Sequence, residues 1–392
     1  MSVDVLPWAQ RVTQATPTYR NRVVDGLRAA AMTGVVLGHW LVTGLAADRN
    51  GALHQQSPLS SLRIFTPLSW VLQTLGLFFL VSGYAAAAGL SRAQSRGRTS
   101  PGWLAARMRR LLPPIVVFAA AWLLIYPALR LAQVAAPTRH VIGSLMLSPL
   151  WFALVLALLT VITPAVCAAE RRLGPAVALV PLGVVASVDL ARFAVWPTIP
   201  NWLTSLNNLA GWLVPYVLGI ALAHGHSHRR RAGAALILTG ITAGSLLIVV
   251  AGYPASAVGV PGDGRSNLNP PSLLAVALSL VQIGLALTAW KPLTRLLQRP
   301  TCWAVVVVLN LSAMTVFLWH QSALLIVAGA GHVFLGDPVG LVSPPADSAW
   351  VYRRLLWLPV FLAVLALLWL LFRRIEQRRP VRIHLTASRR TP

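Results

Sequence analysis

Apolar runs long enough to cross a bilayer follow one another along almost the whole chain, and this constrains the fold more than any motif does. Ten can be read, at 24–46, 66–90, 111–132, 147–169, 174–195, 203–224, 233–252, 271–291, 303–329 and 350–373, each bounded by charges or Pro/Gly clusters. A helix needs about 20 apolar residues to span hydrocarbon. Backbone groups there must be satisfied within the segment, so each run predicts an α-helix. Of the residues, 56% are hydrophobic and only 11% charged, against roughly 25% charged in soluble domains. The expected fold class is all-α: a polytopic transmembrane helical bundle of about ten helices.

Charge orients the bundle. With the N-terminus in the cytoplasm, all but eight of the 33 basic residues fall on the cytoplasmic side, the exceptions being Arg49, Arg63, Arg130, Arg139, Arg192, Arg265, Arg353 and Arg354. This is the positive-inside pattern, and an even number of spans returns the C-terminus to the same side. The net charge of +24 is thereby explained by topology, and no nucleic-acid partner is expected. The expected organisation is a cytoplasmic segment 1–22, a transmembrane domain 23–375 and a basic cytoplasmic tail 376–392. Residues 1–22 hold no apolar core followed by a small-residue cleavage site, so the first span is expected to act as an uncleaved insertion signal in a plasma (inner) membrane. The spacing of Cys167 and Cys302 indicates neither a disulfide framework nor a metal site.

Within the first run, "DGLRAAAMTGVVLGHW" (25–40) carries Arg28 and His39. Eleven residues are about three helical turns, which puts both side chains within about 20° on one face and about 16 Å apart along the axis. Arg28 is expected at the cytoplasmic headgroups and His39 near mid-bilayer. An arginine there can be a snorkelling anchor and a histidine an interhelical hydrogen bond. Ionisable groups inside a span are nonetheless functional candidates by default.

The motifs add a resemblance. "NRVVDGLRAAAMTGVVLGHW" (21–40) resembles the opening of the acyltransferase-3 family, whose first helix carries an Arg-x10-His signature, with Arg28 and His39 on those positions. "LGLFFLVSGY" (75–84), "RMRRLLPPIVVF" (107–118), "PLWFALVLALLTVITP" (149–164) and "VFLWHQS" (316–322) resemble its later blocks in the same order. One departure stands out: many members place an acidic residue or proline just before the Leu-Phe-Phe block, where this chain has Gly76. A carboxylate orienting the histidine is therefore not expected at that position.

The resemblance implies an integral membrane O-acyltransferase. The donor would be an acyl-CoA, commonly acetyl-CoA, and no bound cofactor or metal is implied. The acceptor would be a hydroxyl of a cell-envelope carbohydrate, a glycolipid or a related small molecule. The residues suit that chemistry. An imidazole such as His39 can take a proton from an attacking hydroxyl, or itself accept the acyl group. Arginines at the inner face, namely Arg28, Arg107, Arg109 and Arg110, can hold the phosphates of coenzyme A.

His320 is expected at mid-to-outer depth, lining the acceptor site or bonding a neighbouring helix, with Trp319 and Gln321 beside it in the same block. Asp189 is expected to pair with Arg192 at i, i+3 spacing, with a supporting place at the acceptor site as the alternative. Asn310 and Gln321 share a face by the eleven-residue arithmetic and read chiefly as packing contacts. The run "HGHSHRRR" (224–231) reads as a solvated basic turn rather than a metal site. The segment 253–271, rich in Gly and Pro, reads as a structured loop, either a lid or a connector. Two other function classes stay open: a transporter or flippase for a lipid-linked or sugar substrate, and a non-catalytic scaffold. No internal two-fold repeat supports the first.

Overall fold

The apolar runs are helical in the computed structural model of the chain, which describes residues 5–195, 199–225, 229–261 and 265–377. In chain order the helices are α1 (Val5–Gln14), α2 (Arg22–Val42), α3 (Pro58–Ser61), α4 (Thr66–Leu72), α5 (Leu75–Gln94), α6 (Ser100–Leu131), α7 (Ala136–Leu173), α8 (Leu179–Leu190), α9 (Asn201–Ala223), α10 (Arg229–Val249), α11 (Leu273–Thr288), α12 (Trp290–Gln298), α13 (Pro300–Leu311), α14 (Ala313–Leu335) and α15 (Ser348–Gln377). The one sheet among the described residues is an antiparallel hairpin of β1 (Gly44–Ala47) and β2 (Leu53–Gln56). Its register pairs Gly44 with Gln56 and Ala47 with Leu53.

Among the described residues, seven helical stretches are long and apolar enough to cross a membrane, or eight when α11 and α12, bent by 60°, are joined. The 21-residue α2 is not one of them, because Arg22, Asp25, Arg28 and His39 lie along it. Ala136–Phe193 meets the measure as one stretch, yet it doubles back. Gly174 takes φ +64° at the end of α7, a left-handed value that suits glycine. Thr163 bonds Tyr216 and Glu170 bonds His224, so α7 runs alongside α9 in the same sense. Asp189 of α8 then meets Asn207 near the start of α9, so α8 returns antiparallel to α7.

Three of the ten expected spans are interrupted rather than continuous, and the first, expected over 24–46, ends at Val42 where the hairpin begins. The 66–90 run breaks at Gln73–Thr74, the 271–291 run bends at Ala289, and the 303–329 run breaks at Ser312. A cut helix exposes backbone groups that lipid cannot satisfy, and at two of the cuts side chains from elsewhere take them. Gln282 Nε2 donates to the Trp70 and Gln73 carbonyls at 3.1 and 2.6 Å. At the start of α14 the Glu376 carboxylate accepts from Met314 N and Thr315 N, both at 3.0 Å. The 1–22 segment contributes a helix of its own: Ala9 of α1 is buried, and Trp303 Nε1 of α13 donates to Thr16 Oγ1 at 2.7 Å.

Lipid tails are as apolar as leucine, so transmembrane helices associate by close packing of small residues. α5 and α9 meet this way. A Cβ on Gly83 would lie 2.0 Å from the Tyr216 carbonyl oxygen, and one on Gly219 would lie 1.9 Å from that of Leu80. Backbone cannot swing aside as a flexible side chain can. Gly219→Leu is therefore expected to force the two helices apart and destabilise the protein by about 3 kcal/mol, the upper end of the usual overpacking cost. The check is the thermal unfolding midpoint of the purified protein in detergent; an unchanged midpoint would refute this contact.

Arginines gather at one end of the bundle, where Arg22 Nη1 donates to the Leu297 carbonyl and Asn310 Nδ2 to that of Asp25. The opposite end is roofed by irregular chain: the hairpin, the α3–α4 segment and the 253–271 loop. The loop is tied down from several sides. Asp189 accepts from Tyr253 Oη at 3.0 Å and from Leu273 N at 2.7 Å, just before and just after it. Trp70 Nε1 donates to the Ala255 carbonyl at 2.9 Å, and Ala257 N to Ser69 Oγ at 3.1 Å.

Candidate active site

α2 carries the Arg-x10-His pair, and its end away from the arginines is where the site is built. His39 sits one turn from that end, and its carbonyl accepts from Thr43 N at 2.9 Å. The terminal carbonyls of a helix need partners, and here a cation from α15 supplies them. Arg354 donates from Nε to the Trp40 carbonyl at 2.6 Å, from Nη1 to the Gly340 carbonyl at 3.0 Å, and from Nη2 to the Thr43 carbonyl. It is fully buried and lies over the Trp350 and Phe361 rings. Trp40 in turn donates from Nε1 to the His320 carbonyl at 2.9 Å. α2, α14 and α15 are thus locked around His39.

Two imidazoles meet there. The ring centroids of His39 and His320 are 5.1 Å apart. His320 Nδ1 is 2.6 Å from the Phe317 carbonyl; a carbonyl only accepts, so Nδ1 carries the proton and Nε2 is left as an acceptor. That Nε2 is buried without a partner among the described residues. His39 Nδ1 lies 3.0 Å from the side-chain amide of Gln321, which is itself fully buried. The amide can meet Nδ1 through either end, and its two orientations select the two tautomers of His39. In the structure Gln321 Nε2 faces Nδ1 and donates to it, which leaves the His39 proton on Nε2; with the amide turned so that Oε1 accepts from Nδ1–H, His39 Nε2 is a free base. Gln321 therefore stands where a carboxylate partner was not expected. Gly76 has a different role: a Cβ there would meet Ser279 Oγ at 2.3 Å, so the position brings α5 against α11.

Both histidines open into a cavity of about 630 Å³ at the roofed end of the bundle. Its walls come from α2, the hairpin, the α3–α4 segment, α7, the 253–271 loop, α14 and the start of α15. Trp151 and Phe152, from the "PLWFAL" stretch, line it together with Phe317. Phe78 and Phe79 of the Leu-Phe-Phe block pack on Phe152 with ring centroids 4.9 and 5.1 Å away. The loop read as a lid or a connector thus lines the cavity, through Val258, Val260 and Leu268 among others.

Arg28 does not line the cavity. On the same face of α2, Met32 and Val35 stand buried between it and His39. Arg28 Nη1 lies 3.5 Å from Asp25 Oδ1, and Arg107 is within electrostatic range of it. Arg107, rather than Arg109 or Arg110, is the member of the α6 cluster within that range of Arg28. Arg109 and Arg110 are exposed. Trp319 faces away from the cavity, stacked on Phe372 at 4.1 Å and edge-on to Phe118 at 5.1 Å. Asp189 pairs with Arg192 at 3.5 Å, as the spacing suggests, but its nearest partners are the loop tethers and Asn207, so it acts through the roof. His224 contacts Glu170, while His226 and His228 lie outside the described residues.

Sequence reasoning did not single out Arg354 or Gln73. Arg354 carried a signal: it is one of the few basic residues expected on the outer side, inside an apolar stretch. Gln73 carried none, because the helix break that turns it inward depends on Gln282.

Comparison with known proteins adds one finding. A family model described as an acyltransferase domain matches residues 21–373, nearly the whole chain. No curated protein and no solved structure matches it.

Proposed function

The chain belongs to the acyltransferase-3 family of integral membrane acyltransferases, and on that premise we propose that it transfers an acyl group, most simply acetyl, from acyl-CoA to a hydroxyl. The acceptor is a cell-envelope carbohydrate, a glycolipid or a related small molecule. The observation that carries this reading is the imidazole of His39, held through Nδ1 by Gln321 and opening into the cavity.

His39 Nε2 takes the proton of the acceptor hydroxyl as its oxygen attacks the thioester carbonyl carbon. The C–S bond then breaks, and the imidazolium returns its proton to the departing coenzyme A thiolate. His320, whose Nε2 is also an unpartnered acceptor, receives a second O–H or N–H donor of the acceptor substrate. Gln321, its amide turned so that Oε1 accepts from Nδ1–H, selects the tautomer that leaves His39 Nε2 basic. At the other end of α2, Arg28 with Arg107 grips the phosphates of the donor, and the exposed Arg109 and Arg110 add charge at the mouth. The pantetheine arm passes Met32, whose unbranched thioether side chain can be displaced more readily than a β-branched one.

The topology we read with this function has ten crossings, both termini in the cytoplasm and the arginine end facing inward, in the inner membrane of a bacterium. Residues 1–22 and 376–392 flank a catalytic domain of 23–375. The reversal at Gly174 and the length of α2 support the count, and the positive-inside rule supports the orientation.

The test is consumption of labelled acetyl-CoA by the purified protein in nanodiscs, with the label recovered on an alcohol. Gln321→Leu is expected to lower kcat about tenfold, the worth of one hydrogen bond that sets a tautomer, and Gln321→Glu to restore most of it. Substrate movement driven by a proton gradient, with acetyl-CoA untouched, would replace this reading with a transporter.

A further inference from the structure

Several of the polar side chains that line the cavity are already engaged. Ser57 Oγ accepts from Leu59 N. Ser69 Oγ donates to the Thr66 carbonyl and accepts from Ala257 N. Thr74 Oγ1 donates to the Ala31 carbonyl, and Ser266 Oγ accepts from Leu268 N and Asn269 N. Neither an aspartate, a glutamate nor a lysine lines the cavity among the described residues. Its one arginine, Arg354, is fully buried with all three nitrogens donating to backbone carbonyls.

Against this background Gln73 stands out. It lines the cavity, is 5% exposed, and neither its Oε1 nor its Nε2 has a partner among the described residues. A buried amide with both ends unspent carries a substantial cost unless something bonds it. It sits close to the reacting groups: Leu72, next to Gln73, lies against Gly38, next to His39.

We propose that the acceptor taken by this cavity is a neutral alcohol with a mostly apolar body, whose second polar group is bound by Gln73. The inference rests on the acyl-transfer reading above and narrows its acceptor. A charged acceptor would be stripped of water with no free counter-charge among the described residues to meet it. A bare sugar would leave the apolar walls of Leu72, Val260, Leu268 and Trp350 uncovered. An apolar body instead gains by covering Leu72, Val260, Leu268 and Trp350, while one hydroxyl reaches His39 and one polar group reaches Gln73.

The experiment compares four acceptors at matched concentration with the purified protein in nanodiscs: 1,10-decanediol, 1-decanol, 10-hydroxydecanoate and glucose. Transfer of labelled acetyl is followed for each. Binding is followed independently by intrinsic fluorescence, since Trp151 and Trp350 line the cavity. The diol is expected to be acetylated with a kcat/KM about tenfold above 1-decanol, one hydrogen bond's worth, and further above the other two. Gln73→Leu should erase the diol's advantage over 1-decanol by raising its KM, and Gln73→Asn should keep part of it. Glucose or 10-hydroxydecanoate used or bound as well as the diol would overturn the proposal, as would an undiminished diol preference in Gln73→Leu. Should no acceptor be acetylated, the fluorescence preference alone decides the acceptor class, and only the acyl-transfer reading falls.

Discussion

His39→Ala is expected to lower acyl transfer by about 10²–10⁴-fold, the usual contribution of a positioned general base, while leaving the fold intact. The side chain is only partly buried and opens into a cavity, so its removal enlarges existing space rather than creating a sealed void. Its one side-chain hydrogen bond among the described residues is to Gln321, and losing it costs about 1 kcal/mol. The unfolding midpoint should therefore shift by a few degrees at most while kcat collapses. Donor binding, made at the other end of α2, should persist with an unchanged Kd for acetyl-CoA. Full transfer to any acceptor in His39→Ala would remove this residue from the chemistry, whichever course the acyl group takes.

Arg354→Met is expected to be the most disruptive single change at the cavity end of the bundle. Methionine approximates the volume but donates nothing, and three carbonyls, of Trp40, Thr43 and Gly340, would lose their partner. Each buried polar group left unsatisfied costs about 1–3 kcal/mol, so a loss on the order of 3 kcal/mol or more follows, since the guanidinium is fully buried. Two of these carbonyls flank the end of α2, so the consequence reaches His39 directly. Activity should fall together with the melting temperature. Arg354→Lys, with a compact ammonium in place of the planar fork, should recover part of both. A melting temperature equal to that of the wild type in Arg354→Met would show that water or other groups serve those carbonyls.

The helical nature of the bundle and the Arg-x10-His pair were legible in the sequence because both are local: apolar length and an eleven-residue spacing. The interruptions were not. Those at Gln73 and Ser312 are stabilised by Gln282 and Glu376, which lie far along the chain. The same break at Ser312 undid the shared face of Asn310 and Gln321. Asn310 turns to the Asp25 carbonyl at the arginine end, and Gln321 turns to His39. The pairing of His39 with Gln321 joins residues 282 positions apart, and no periodicity in one helix could show it. Trp319 and His320, neighbours in one motif, divide between core and cavity because a helix turns about 100° per residue. The nearness of Arg28 and His39 on one face was also legible, but the packing of Met32 and Val35 between them was not, since it depends on the helices around α2.

The most direct measurement uses sealed proteoliposomes in which the protein has one orientation. Labelled acetyl-CoA is supplied to one face only, and the acetylated acceptor is recovered from each. The expected result is that label is taken up only from the face bearing Arg28 and Arg107, that it appears on acceptor reaching the cavity from the opposite face, and that His39→Ala abolishes both. Equal use of acetyl-CoA from either face, or transfer that survives in His39→Ala, would contradict a donor and an acceptor meeting at His39 from opposite sides.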